Sequence, residues 1–114
     1  MIEIVLLNYL KSVLSPVAVT TEIQQGMSGS FVVIEKTGSS QSDLLFHSTF
    51  AVQSYGASLY DAMSLNKSVK DAMFSAVTLD EITRVELNSD YNYTDQATKQ
   101  SRYQAVFDIT HYKE

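Results

Sequence analysis

Over residues 2–14 the apolar positions Ile2, Val5, Leu6, Tyr9, Leu10, Val13 and Leu14 recur every three or four residues. That spacing lines one side of a helix, and Ser15-Pro16 supplies the stop, because the residue before a proline is pushed out of helical backbone. The period then changes to two. Val17, Val19 and Thr21 alternate with Ala18, Thr20 and Glu22, which predicts a short strand over 17–23. The run Phe31-Val32-Val33-Ile34-Glu35-Lys36 predicts a second strand, apolar on both faces at its start, as a central place in a sheet requires. Residues 44–55 predict a third, with Leu44, Phe46, Phe50 and Val52 on one face and His47, Thr49, Ala51 and Gln53 on the other. The second and third strands pair as an antiparallel hairpin through the serine-rich segment between them.

After Gly56 the helical period returns. Ser58, with Asp61 three residues on, resembles a capping box, and Leu59, Ala62, Met63, Val69, Met73, Ala76 and Val77 form the stripe. Asn66 interrupts that stripe and calls for a buried hydrogen bond, while Lys67, Lys70 and Asp71 take the wet face. Thr78-Leu79-Asp80-Glu81 could cap a short helix, but Val85, Leu87, Tyr91 and Tyr93 alternate with Arg84, Glu86, Asn88, Asp90 and Asn92. The alternation predicts a half-buried strand, bent near Asn88-Ser89. The last element is the cleanest: Tyr103, Ala105, Phe107, Ile109 and His111 face one way, Arg102, Gln104, Asp108 and Thr110 the other. Helix, three strands, helix, two strands is solved most economically by an α+β fold, a mostly antiparallel five-stranded sheet packed with an N-terminal and a central helix.

Two polar segments punctuate the chain: Gln24-Gln25-Gly26-Met27-Ser28-Gly29-Ser30 and Thr37-Gly38-Ser39-Ser40-Gln41-Ser42-Asp43. Their small, glycine-interrupted composition predicts loops, and neither is long enough to link domains. The 114 residues therefore read as a single domain, 1–114, which at this size buries roughly 65% of its unfolded surface. The chain has no cysteine, which removes disulfides, thiol catalysis and thiolate zinc sites. The longest early apolar run, from Ile4 to Leu7, is too short to span a bilayer, and Glu3 sits where a secretory signal would be basic. With 8 basic and 13 acidic side chains the net charge is −5, against binding by broad phosphate neutralisation. The expectation is a soluble, intracellular domain.

Reactive constellations are thin. Gly26-Met27-Ser28-Gly29-Ser30 superficially resembles a nucleophile elbow, but its second glycine comes one place early and no helix follows to aim the serine. No lysine-serine or lysine-threonine pair follows these glycines, so they also fail the phosphate-cradling patterns. His47 and His111 lie on separate strands, and Asp108 points away from His111, so the three do not compose a metal site. Asp80-Glu81, the adjacent acidic pair, can act as a carboxylate dyad only if it sits in a turn. The chain is expected to be no enzyme and to need no cofactor or metal. Tyr91, Tyr93, Tyr103 and Tyr112 gather on the last two strands, where tyrosine serves both core packing and half-wet subunit contacts.

The segments Ser30-Phe31-Val32-Val33-Ile34-Glu35-Lys36-Thr37-Gly38 and Phe50-Ala51-Val52-Gln53-Ser54-Tyr55, the helix start Ser58-Leu59-Tyr60, then Leu87-Asn88-Ser89-Asp90-Tyr91-Asn92-Tyr93-Thr94-Asp95 and Arg102-Tyr103-Gln104-Ala105-Val106-Phe107-Asp108-Ile109-Thr110 together resemble a family. It is the tail terminator, or tail completion and tail-to-head joining, proteins of tailed bacteriophages of Gram-positive bacteria, similar in fold to the terminator of phage lambda. The resemblance covers most of the chain from Ser30 onward; relatives often carry proline in the 24–29 segment, where this chain has none.

It implies a structural virion protein of a long non-contractile tail that forms a homo-oligomeric ring, a hexamer, on the head-proximal end of the tube. The ring ends polymerisation of the tail tube protein and docks the head-neck connector. DNA passes through without specific binding, and an acidic subunit suits that passage because like charge repels the phosphates. A neck or head-closure protein is the neighbouring alternative, and a small ligand-binding or hydrolase domain is the alternative of a different class. The expected partner contacts are Ser39, Ser40, Gln41, Ser42 and Asp43, then Gln24, Gln25, Gly26, Met27, Ser28, Gly29 and Ser30. The implied location is the virion tail, with the host cytoplasm as the place of assembly, and no membrane is involved.

Overall fold

The computed structural model describes residues 1–24 and 26–112. Helix α1 (Ile2–Val13) forms where the period predicts it, and Ile2, Leu6, Leu10 and Leu14 turn inward at four-residue intervals. Tyr9, on the same side, donates its hydroxyl proton to the Ala72 carbonyl at 2.7 Å. Burial pushes that phenol above its ordinary value, so it remains a donor at neutral pH. Strand β1 (Ala18–Thr20) is shorter than the apolar pattern suggests, because it pairs only with Phe31–Val33, in parallel.

Strands β2 (Phe31–Ser42) and β3 (Leu45–Tyr55) form the expected antiparallel hairpin, but the segment between them is no loop. Gly38, Ser39, Ser40, Gln41 and Ser42 pair in register with Thr49, Ser48, His47, Phe46 and Leu45, leaving a two-residue turn at Asp43-Leu44. Serine-rich composition predicts a loop locally; the partner strand, already fixed on its other side by pairing with the final strand, extends the ladder regardless.

Helix α2 (Leu59–Ser75) starts as expected: Ser58 accepts a hydrogen bond from the Asp61 backbone N–H at 3.1 Å. Its buried line is Ala62, Leu65, Asn66, Val69, Met73 and Ala76, so Leu59, Met63 and Val77 of the predicted stripe lie exposed instead. A short 3-10 turn (Ala76–Thr78) follows, then β4 (Ile82–Asn92) and β5 (Arg102–His111). The sheet order is β1-β2-β3-β5-β4, antiparallel except for β1–β2, an α+β fold as expected. Both helices cover one face, where Val32, Ile34, Phe50, Val52, Phe107 and Ile109 meet Leu6, Leu10, Val69 and Met73. Each such fully buried side chain contributes about 1.5–3 kcal/mol.

β4 carries the bend expected near Asn88-Ser89: its pairing with β5 slips by one residue between Leu87 and Ser89. An inserted residue flips every later side chain to the other face. Tyr91 and Tyr93 therefore leave the side occupied by Val85 and Leu87, contrary to the unbroken alternation read from sequence, and Asp90 turns toward α2. There it accepts from Lys70 at 2.8 Å and from Asn66 Nδ2 at 3.0 Å, the hydrogen bond that the interrupted stripe called for. Lys70 is thus half-buried in an ion pair and not on the wet face.

The Lys70 hydrogen bond, with Asn66 assisting and burial opposing, holds the Asp90 carboxyl below the usual range. A carboxyl depressed in the folded state contributes stability that is complete above its unfolded value, near pH 3.9, and is lost as pH falls through its folded value. Asp90→Ala is expected to lower stability at pH 7 by about 1–2 kcal/mol and to weaken the acid-induced loss. Urea titrations of both proteins at pH 7 and pH 3 check this: an equal deficit at the two pH values contradicts it.

Candidate assembly surfaces

The five residues at the end of the first hairpin divide by structure. Ser39, Ser40, Gln41 and Ser42 belong to β2, exposed yet fully paired with β3 on one side. Asp43 opens the turn in left-handed backbone (φ 56°), which a short polar side chain tolerates. Beside it Leu44 is 86% exposed, the most solvated large apolar side chain described. Composition hid Leu44, which reads as the first core position of the next strand until the turn is located. Since β3 stays paired to β5 from Phe46 onward, only residues 42–45 extend past β5.

The second predicted segment is a loop as expected, with Gly26 and Gly29 at φ 88° and 73°, where a Cβ is strained. Gln25 lies outside the described residues. Met27 folds back onto Phe31, Val33 and Tyr55, while Gln24, Ser28 and Ser30 are exposed. The two segments sit at opposite ends of β2, about 30 Å apart at roughly 3.3 Å per residue, and do not form one site.

A third surface follows from strand parity. The sheet face away from the helices carries Phe31, Tyr55, Gln53, Arg102, Gln104, Tyr91 and Tyr93, brought together from four strands. Phe31 and Tyr55 stack at 4.4 Å between ring centres. Arg102 donates from Nη1 to the Tyr55 hydroxyl at 3.0 Å, Tyr55 donates to Gln53 Oε1 at 3.3 Å, and Gln53 Nε2 donates to Gln104 Oε1 at 2.8 Å. Gln104 Nε2 completes the row by donating to the Tyr91 hydroxyl. The Arg102 guanidinium also lies 4.5 Å from the centre of the Tyr93 ring and donates from Nε to the Tyr93 carbonyl at 2.6 Å. The result is a rigid aromatic and amide surface, with Tyr91 and Tyr93 each 41% exposed. The bulge at residue 88 creates it, and the bend in the sequence pattern was the available signal.

Further along the same face a cavity of about 380 Å³ is lined by His47, Thr49, Glu86, Asp108 and Thr110 together with part of β2. Five of these side chains are engaged in hydrogen bonds or an ion pair. Asp108 accepts from Thr49 at 3.0 Å on one oxygen and from Asn88 at 3.1 Å on the other. Glu86 pairs with Arg84 at 3.1 Å, and His47 Nδ1 is 3.3 Å from the Thr110 hydroxyl. His111 lies on the opposite face, 1% exposed, 2.8 Å from the Ser48 hydroxyl and stacked on Phe46, so the histidines do not meet. Asp80 and Glu81 do sit in a turn, both exposed to solvent. Among the described residues no cluster of three or more histidines and carboxylates could hold a metal, and no helix is long and apolar enough to cross a membrane. No protein-family model and no curated relative matches the sequence.

Proposed function

We propose that the protein is a structural virion component that closes the head-proximal end of a long non-contractile phage tail as a hexameric ring. In this reading it ends growth of the tube and offers a docking surface to the head-neck connector, without catalysis. The observation that carries it is the helix-free sheet face, where Arg102, Tyr91 and Tyr93 are held in fixed geometry by the hydrogen-bonded row. Tyrosine and arginine locked in place lose little entropy on contact and are the residues most enriched where proteins bind proteins. In the neighbouring cavity Asp108, Thr49, His47 and Thr110 are engaged in hydrogen bonds, which suits a contact surface better than a centre that must offer a base or nucleophile. The net charge of −5 favours passage of DNA through such a ring over capture. The resemblance of residues 30–110 to the tail terminators supplies the identity of the partners.

The test mixes purified protein with its polymerising tube subunit and images the product by electron microscopy. The expected result is tubes of limited length, each with a six-fold ring at one end. Uncapped tubes growing to the same length as without the protein overturn the proposal.

A further inference from the structure

Both lateral edges of the sheet are open in a single copy. Among the described residues β4 has β5 as its one strand partner, and β2 is paired on its outer side only over Phe31–Val33, by β1. Beyond Lys36 the free edge of β2 runs through Thr37, Gly38, Ser39, Ser40, Gln41 and Ser42 with no charged residue and no proline, the two devices that usually blunt an exposed edge. We infer that these two edges are the two halves of one subunit contact: β4 of one copy pairs with the outer edge of β2 in the next.

The strand directions fit. Across the sheet, β1 and β2 run one way, β3 the other, β5 with β2, and β4 against it. A second copy set alongside in the same orientation, helices on the same side, presents its β2 antiparallel to β4, the more stable pairing. The helix layers fit as well. α1 lies over β1 and β2 and α2 over β3 and β5, while the 3-10 turn packs on the start of β4 and Asp90 reaches α2, which leaves Leu87 exposed on the helix side of β4. Leu87 is 36% exposed, with Phe74 of α2 and Val77 of the 3-10 turn each at 45%, and Met1 and Ile4 at the start of α1 are exposed for the adjoining copy to contribute.

The receiving edge also has a vacancy of suitable chemistry. A cavity of about 220 Å³ opens there between α1 and the sheet, walled by Ile34 and Phe50 and bordered by Glu3, Thr21 and Lys36. Glu3 binds Lys36 through Oε2 at 3.1 Å, while its Oε1 is buried with no hydrogen-bond partner. Leu87, on the helix side of β4, is the apolar side chain that an incoming strand brings to this end of the edge. The contact is short, because bulges leave four regular residues in β4 (Arg84 to Leu87) and five in β2 (Gly38 to Ser42). Different surfaces meet at each contact, so the association is head-to-tail, the kind that forms a ring when the rotation between successive copies closes.

This inference names the subunit contact of the ring proposed above and rests on that reading for its closure, yet its test needs no tube. The chain has no cysteine, so single thiols can be placed at will. Ser40→Cys and Glu86→Cys proteins, each shown to fold by circular dichroism, are treated with a short bismaleimide, separately and as an equimolar mixture. The expected result is cross-linked dimer in the mixture alone, and a ladder up to a closed hexamer in the double variant. Leu87→Asp, added to the double variant, is expected to remove the ladder at least tenfold in yield. Cross-linking in either single variant, which marks like-with-like pairing, or none in the mixture, overturns the edge assignment. A ladder in protein that fails to cap tubes leaves the edge pairing standing and removes the terminator reading; capped tubes without the mixed cross-link do the reverse.

Discussion

Gly56→Ala is expected to destabilise the protein by about 3 kcal/mol or more, the upper end of what forced overpacking costs. Gly56 closes β3 and leads into α2, with its N–H donated to the Ser101 carbonyl at 3.2 Å. A Cβ at this position would stand 2.5 Å from the Ala62 backbone nitrogen and 2.9 Å from both the carbonyl carbon and the Cβ of Asp61. Those atoms form the first turn of α2 and cannot rotate away as a side-chain tip could. The turn is pinned on three sides. Ser58 caps it through the Asp61 N–H at 3.1 Å, the Ser58 carbonyl takes the Ala62 N–H at 3.1 Å, and Ala62 is fully buried.

Relief therefore requires the whole start of α2 to lift from the sheet. Measured against a total of about 5–15 kcal/mol for a domain of this size, the loss is a large share. Gly38→Ala is the matched control. Nothing lies within 4 Å of the added Cβ and its backbone is not left-handed, so its midpoint in urea is expected to stay within about 0.5 kcal/mol of the parent. Equal midpoints for the two variants would show that α2 yields freely.

How much of this was legible in the sequence depends on how local each cause is. The 3.6 period over 2–14 placed α1 and its inward line except for Val13, which is 48% exposed, and the alternation from Arg102 to His111 placed β5 with its faces correct. Both patterns are set by neighbours in the chain. The break after Gly56 was visible, but the demand for a missing Cβ there comes from how α2 docks, which composition does not encode. The 37–43 segment was read as a loop because serine and glycine are poor strand formers. Its pairing is decided by residues 45–49, which are themselves held by β5.

The bend in β4 was legible, its consequence was not: counting on by twos past Asn88 assigns Tyr91 and Tyr93 to the helix side, and one inserted residue sends them to the open face. With them went the chance of seeing Arg102 join Tyr55 and Tyr93, since that cluster requires the register of four strands. Of the nominated contact residues, the hairpin set turned out as edge strand and turn, and the described residues of the 24–30 set as a loop remote from it.

Replacing Ser42-Asp43-Leu44-Leu45 by Asn-Gly, so that the turn closes directly between Gln41 and Phe46, is expected to leave folding intact and to abolish head-to-tail joining. The fold tolerates the change because the excised rung is the outermost one. β3 is held by β5 from Phe46 inward, and Phe46 keeps its stack on His111 at 5.7 Å. Asn-Gly favours the two-residue turn that the shortened register needs, because asparagine and glycine are the residues that best tolerate its left-handed backbone, which offsets part of the lost pairing. The net change in stability is expected within about 1 kcal/mol. The joining defect is large for a different reason. The replacement deletes Leu44, whose 86% exposure at a protruding tip costs solubility without any packing return in the isolated subunit. In the proposed six-membered ring the loss would recur six times around one rim, so that a modest weakening per subunit multiplies into failure of the proposed docking surface. The check is a complementation assay in which the shortened protein replaces the parent during phage assembly, scored by infectious titre and by micrographs of separated heads and tails. Filled heads beside capped, unattached tails are the expected picture; a normal titre from the shortened protein removes this tip from the docking surface.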